Sequence, residues 1–269
     1  MADRDVVVSN PWSSLRRFTP AHIGLGRAGV SVPTATQLAF AVAHARARDA
    51  VHDALDVGQV RAALTSLGLE SLALHSAAPD RHSYLQRPDL GRQLDVASQR
   101  ALDSLGLPYR SDRFDLAFAI VDGLSSRAIH RHATVLLRAV LAGLNAGALP
   151  WTVAPVAVVE QGRVAIGDAI GEALRARLMV VLIGERPGLS APDSLGAYVT
   201  WEPRQGRTDA ERNCLSNIRP EGLTYREATA RLMALLGEAR RREVSGVTLK
   251  DEHDALPGPT RAINVLLDR

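Results

Sequence analysis

The stretch DLAFAIVDGLSSRAIHRHATVLLRAVLAGLNAG, residues 115–147, decides the fold class. It begins with a short apolar run that has the length of a buried strand, and Asp122-Gly123 then marks a turn. The segment that follows Ser125 or Ser126 has the serine cap and the apolar spacing of a helix. A strand that leads directly into a helix is the building block of a parallel α/β sheet.

The same alternation continues toward the C-terminus. The pattern predicts three more strands at 153–159, 178–184 and 196–201, and two more helices at 168–177 and 224–242. Thr224 is the expected cap of the last helix. We therefore predict an α/β fold with a doubly wound, Rossmann-like parallel sheet.

The N-terminal part has a different pattern. Prolines and glycines break up residues 1–33, which predicts an extended arm lying over something else. Three helices are expected to follow, at about 34–56, 57–68 and 92–106. The predicted organisation is an N-terminal arm and helical region at 1–110, a Rossmann-like domain at 111–252 and a C-terminal tail at 253–269.

Composition excludes several classes of protein. The chain has 269 residues, a formal net charge of +3 and no long basic run, so we expect no nucleic-acid partner. No stretch approaches the roughly 20 apolar residues of a membrane helix. Cys214 is the only cysteine, which excludes an internal disulfide and fits a reducing compartment. We expect a soluble, cytoplasmic protein.

Polar and glycine-rich loops follow each predicted strand of the sheet. Ligands of open parallel sheets bind beyond the carboxyl ends of the strands, where Asp122 and Glu185 would accept hydrogen bonds from amides or hydroxyls. A large ligand rich in amide groups would suit this rim. The alternative is that these are ordinary turns, in which Gly, Asp and Ser are favoured anyway.

The segment GLGRAG at 24–29 matches the dinucleotide-binding fingerprint. That motif needs a strand before it and a helix directly after it, whereas prolines lie on both sides here, at Pro20 and Pro33. A tight turn in the arm is the better interpretation. A self-sufficient nucleotide enzyme and a structural protein without a ligand remain as alternative hypotheses.

The histidines predict no metal site. His130 and His132 point to different faces of a helix, and Arg48 lies between His44 and His52. No Walker A sequence, nucleophile elbow or other independent catalytic centre is visible in the sequence. We predict no catalytic residues, which indicates a binding or accessory subunit.

Several long motifs occur together in one order: GRAGVSVPT (26–34), YLQRPDLGR (84–92), DGLSSRAI (122–129), GRVAIGDAIGE (162–172), GERPGLSAPDSLG (184–196), TDAERNCLSNIRPEG (208–222) and SGVTLKDE (245–252). On these motifs the chain resembles the light chain of ethanolamine ammonia-lyase over roughly residues 15–252. The resemblance implies the small subunit of an adenosylcobalamin-dependent enzyme that deaminates ethanolamine to acetaldehyde and ammonia.

The resemblance also implies a partner, a cofactor and a site. The large chain, a TIM barrel, would carry the substrate, in a dodecamer of six large and six small chains. Adenosylcobalamin, with its own benzimidazole on cobalt, would lie between the two kinds of chain. Family cofactor contacts carry over to Val164, Glu185 and Cys214, the last of these on a loop after the fourth strand.

Family members packaged into microcompartments carry a long leading segment. Only some 15 residues precede the matching region here, which favours the free cytoplasm. The role of the C-terminal tail at 253–269 is not explained by the resemblance.

Overall fold

The computed structural model describes residues 6–105, 112–147 and 149–249. Its centre is a six-stranded sheet with the order β1-β3-β2-β4-β5-β6. The strands are β1 (Ser71–His75), β2 (Phe114–Val121), β3 (Val156–Glu160), β4 (Ala176–Gly184), β5 (Leu195–Trp201) and β6 (Arg212–Ile218).

Eight α-helical segments accompany the sheet in the described part of the chain: α1 (Thr34–His52), α2 (Val57–Ser66), α3 (Arg81–Gln86), α4 (Val96–Asp103), α5 (Ser126–Ala128), α6 (Thr134–Ala146), α7 (Ile166–Ala173) and α8 (Tyr225–Arg242). A π-helical turn, Ile129–Ala133, joins α5 to α6. The predicted caps are confirmed: the Ser125 side chain accepts from Ala128 N–H, and Thr224 forms a capping box with Glu227.

Helices pack on both faces of the sheet. Alternate residues of the central strands, such as Phe118 and Ala119, belong to two different buried clusters. One cluster includes residues of α2, α6 and α8, and the other includes residues of α4 and α7. This architecture confirms the α/β class, while the narrower Rossmann-like, doubly wound assignment stays a prediction.

The prediction of an all-parallel sheet is wrong at β5. The strands β1 to β4 pair in parallel, whereas β5 is antiparallel to both β4 and β6. The physical reason is the short connection over residues 185–194, because a parallel return needs a crossover of about a dozen or more residues.

Two strands were not predicted from the sequence. Cys214, expected on a loop, lies within β6, and β1 lies in the predicted N-terminal region. β1 pairs with β3, so this region contributes an edge strand to the sheet as well as helices. The domain boundary near residue 110 stays a prediction, and the predicted tail at 253–269 lies outside the described residues.

No helix among the described residues combines the length and the apolar character required to cross a membrane.

Candidate functional site

Asp122 directly follows β2, and its carboxylate is already engaged within the chain. Its Oδ2 accepts from Gln161 N at 2.9 Å and its Oδ1 from Gly162 N at 3.1 Å, so it binds the loop that follows β3. The side chain is buried, and this burial raises its pKa to about 6 against the opposing effect of these hydrogen bonds. Asp122 therefore holds two loops together and is not free to face a ligand.

Arg81, the first residue of α3, closes the same end of the sheet. Its Nη1 donates to Gly123 O at 2.8 Å and to Gln161 Oε1 at 3.2 Å, and lies 3.4 Å from Asp122 Oδ2. Its Nε donates to Val51 O at 2.6 Å, which attaches the end of α1. One guanidinium thus bridges three separate segments of the chain.

Tyr84 fills the space beside Arg81. It is fully buried, its hydroxyl donates to Gly162 O at 3.0 Å, and burial raises its pKa. The guanidinium carbons of Arg81 and Arg163 lie 4.7 and 4.1 Å from its ring centroid. Such cation–π contacts are strongest where water is excluded. We call Arg81, Tyr84, Asp122 and Arg163 the closed centre.

Two glycines let the loops of the closed centre approach each other. A Cβ at Gly184 would lie 2.1 Å from Ser125 O, and one at Gly123 would lie 2.2 Å from Gly184 O. The glycines at the ends of β2 and β4 therefore permit contact between two backbones, rather than between backbone and ligand.

The loop between β4 and β5 is held by the π-helical turn. His132 Nδ1 is 2.7 Å from the Tyr225 hydroxyl, and its Nε2 is 3.6 Å from Asp193 Oδ2. Burial lowers the pKa of His132, although the Asp193 carboxylate opposes this effect. Arg131 donates to the same carboxylate at 2.5 Å. The two histidines of this turn thus have separate roles, because His130 Nε2 accepts from Asp56 N at 2.9 Å.

Glu185, the first residue after β4, lies away from the closed centre, on the side of the sheet where β5 and β6 are. Its Oε1 accepts from Ser216 Oγ at 2.5 Å and its Oε2 from Asn217 N at 3.0 Å. These partners, rather than Arg186, orient the carboxylate. Each oxygen keeps one further lone-pair direction that can accept a hydrogen bond.

Cys214 lies in β6 directly opposite Tyr198 of β5, so both side chains project from the same face. Burial, and then the neighbouring Cys214, raise the pKa of the Tyr198 phenol. Cys214 is exposed at the edge of the sheet, yet its neighbours shield the sulfur enough to raise the thiol pKa, an effect that the Tyr198 phenol opposes. We call Glu185, Tyr198, Cys214 and Ser216 the open flank.

Val164 lies in the loop between β3 and α7. Its carbonyl accepts from Gly167 N at 3.1 Å, and its partly buried side chain packs against the same hydrophobic cluster as Tyr198. The structure therefore places all three predicted contacts on the α7 face of the sheet, with Glu185 and Cys214 both in the open flank.

A cavity of about 480 Å³ lies further along this face, between the start of α7 and residues 92–94 and 205–207. It does not include Val164, Glu185 or Cys214. Beside it, Arg212 binds Asp168 through two hydrogen bonds of 2.6 and 2.7 Å, and both residues are buried. These bonds raise the pKa of Arg212, although burial acts in the opposite direction.

The N-terminal motif GLGRAG has the structure of a turn within the arm. Gly24, Gly26 and Gly29 have positive φ, and the backbone oxygens of Trp12 and Val8 lie against the first two. Neither a strand before the motif nor a helix directly after it is present in the described residues. No group of three or more His, Cys, Asp or Glu side chains that could hold a metal occurs in that part of the chain.

Sequence reasoning missed Tyr198, Arg81 and Tyr84. For Tyr198 a signal exists, because alternation along a strand places residues 196 and 198 on one face, and a tyrosine there carries both an apolar ring and a hydroxyl. For Arg81 no local signal exists, because its partners Asp122, Gly123 and Gln161 lie 41 residues or more away along the chain.

Comparison with known proteins agrees with these motifs. The family model of the ethanolamine ammonia-lyase light chain matches residues 9–250. The chain belongs to this family. It is 54% identical over 262 residues to the ethanolamine ammonia-lyase small subunit of Ralstonia nicotianae, covering 97% of this chain and 96% of that protein.

Two other relatives give the same result. The chain is 54% identical to the corresponding subunit of Pseudomonas paraeruginosa, with 98% of this chain and 97% of that protein covered. It is 56% identical to that of Xanthomonas campestris, with 90% and 88% covered. The resemblance inferred from the motifs is confirmed.

Proposed function

We propose that this chain is the small subunit of an adenosylcobalamin-dependent ethanolamine ammonia-lyase and helps to bind the cobalamin where it meets the large subunit. The observation that carries this proposal is the open flank, in which Glu185 and Cys214 share one exposed end of the sheet. The family membership indicates the class of enzyme. The predicted doubly wound sheet gives the expected position of a ligand, beyond the carboxyl ends of the strands.

The residues of the flank fit a cofactor with many amide groups. The Glu185 carboxylate is fixed by Ser216 and Asn217, so it can accept hydrogen bonds from amide N–H groups without losing its orientation. Val164 supplies an apolar contact, since its carbonyl already accepts from Gly167. Cys214 supplies a protonated thiol near neutral pH, because its pKa is raised.

When bound, adenosylcobalamin supplies the radical chemistry of the reaction. This chain's contribution is to hold and orient the cofactor and to shield it from water. Its polar groups at the sheet centre are committed to each other, which supports a non-catalytic role for the subunit. Base-on binding stays a prediction.

The N-terminal arm and α1 are the surface proposed to face the large subunit. The longest helix of the described chain, α1, has only Ala50 buried, and large apolar side chains stand exposed along it and along the arm. Phe18 is 62% exposed and Leu38 61%, while Phe40 is flanked by His22 and His44. Contiguous exposed apolar surface marks interaction sites. The barrel-shaped large chain, the assembly of six plus six chains and the cytoplasmic location stay predictions.

The test is co-expression of this chain with the candidate large chain, followed by addition of adenosylcobalamin and ethanolamine. We expect acetaldehyde release only when both chains and the cofactor are present. Activity of the large chain alone would contradict the proposal, as would the absence of a complex between the two chains.

A pair of variants tests the site within that complex. Glu185→Ala is expected to raise the Kd for cobalamin about tenfold, since bonds to a charged group contribute about 1.5–3 kcal/mol. Glu238→Ala is the matched control, because this carboxylate pairs with Arg241 on α8, on the other face of the sheet. Unchanged affinity in the Glu185 variant would refute the site assignment.

A further inference from the structure

Tyr198 lies at the middle of the open flank. It is the direct cross-strand neighbour of Cys214 on one side and of Val181 on the other. Its ring and the Glu185 carboxylate both lie over Gly196: a Cβ at that glycine would be 3.3 Å from Tyr198 Cε2 and 3.1 Å from Glu185 Oε1. Tyr198 therefore lies next to two of the predicted cofactor contacts, Glu185 and Cys214.

The chemistry of Tyr198 differs from that of its neighbours. Glu185 and Ser216 offer oxygens, and Cys214 offers a small thiol, whereas Tyr198 offers a flat apolar ring. Tyr198 lies directly opposite Cys214, which raises the pKa of the phenol after the larger effect of burial. The ring can pack against another planar or apolar group.

The ring is only partly buried by its own chain. The side chain packs against the cluster that includes Val181 and Ile183, while Cys214 and Ser216 beside it are exposed. A partly exposed tyrosine is a residue type that interfaces favour, since it presents much rigid surface at little entropic cost.

We propose that Tyr198 is a cofactor-binding residue, whose ring forms the apolar floor between the contacts made by Glu185 and Cys214. This inference rests on the proposed function. Gly196 leaves room for the ring and the Glu185 carboxylate side by side, and Cys214 lies directly opposite Tyr198 on β6.

The test uses the complex with the large chain and measures the Kd for hydroxocobalamin and adenosylcobalamin by equilibrium dialysis. Tyr198→Leu removes the ring and is expected to weaken binding about tenfold, whereas Tyr198→Phe keeps the ring and is expected to weaken it about threefold or less. Val135→Ala, on α6 at the other face of the sheet, is the control and is expected to change nothing.

The outcomes separate this inference from the proposed function. If the wild-type complex binds no cobalamin, the proposed function fails. If the wild type binds and Tyr198→Leu binds equally well, only the role of Tyr198 is refuted. Should the leucine variant fail to assemble, Tyr198→Met keeps the apolar volume without the planar ring, and affinity equal to that of Tyr198→Phe would refute the inference.

Discussion

The closed centre and the open flank occupy neighbouring parts of one sheet rim but differ in what their polar groups do. In the centre, the Asp122 carboxylate binds Gln161, Gly162 and Arg81, and Tyr84 lies between two guanidinium groups. In the flank, the Glu185 oxygens keep lone pairs, and Cys214 is exposed. The difference teaches that the usual ligand position of an α/β sheet can be filled by the chain itself, so that the proposed binding surface lies beside it.

The largest expected effect is on stability, at the closed centre. Asp122→Ala leaves the backbone N–H groups of Gln161 and Gly162 without their acceptor and removes the carboxylate beside Arg81, and should lower the free energy of unfolding by about 4 kcal/mol. Urea unfolding followed by circular dichroism measures this loss. Asp89→Ala is the control, because its partner Arg87 is exposed and no measurable change is expected. A loss below about 1 kcal/mol for Asp122 would show that the centre is not held by this carboxylate.

The second effect is a dependence of stability on pH that comes from the closed centre. The folded-state pKa of Asp122, about 6, lies above its ordinary value of 3.8. The stability that this group contributes is therefore fully present below pH 3.8 and is lost as the pH rises through 6. Relative to Asp122→Asn, the wild type should lose about 3 kcal/mol across this window. Unfolding measured at several pH values tests this, and a constant difference between the two proteins would contradict it.

The sequence predicted the central strands well because they are buried on both faces and therefore have continuous apolar runs, as in LMVVLIG at 178–184. β6 was missed because only Arg212, Leu215 and Ile218 of it are buried, so RNCLSNI has no apolar run. β1 was missed because it is a short edge strand of five residues. Burial, rather than strand propensity, therefore decided which strands could be recognised in the sequence.

The candidate site was predictable only in part, for a related reason. The loops that carry Asp122 and Glu185 could be assigned to one rim, because strand ends of a parallel sheet meet there. Whether each carboxylate is occupied depends on partners far along the chain, such as Arg81 for Asp122 and Ser216 for Glu185. Such tertiary pairings leave no local pattern in the sequence.

The third expected effect is on the affinity for cobalamin at the open flank, and the free energy of unfolding should not change. Ser216→Ala removes the hydroxyl that donates to Glu185, and should raise the Kd for cobalamin about fivefold, because one hydrogen bond contributes about 1 kcal/mol. Equilibrium dialysis of the assembled complex gives the affinity. Ser66→Ala is the control, since that hydroxyl bonds only its own helix at Ala63 O. A loss of stability without a loss of affinity would place Ser216 among the structural residues instead.

The smallest expected effect is on the rate at which Cys214 reacts with iodoacetamide. This rate tests whether the thiol is accessible in the open flank and whether cobalamin covers it. The raised pKa leaves little thiolate near neutral pH, so iodoacetamide should modify this cysteine more slowly than a free thiol. Tyr198→Phe should slow the reaction further, because it removes the phenol that opposes the rise in the thiol pKa. Peptide mass spectrometry follows the modification in the assembled complex, with and without cobalamin. Protection by cobalamin is expected if the cofactor covers the flank, whereas equal rates in its presence and absence would move the binding surface away from Cys214.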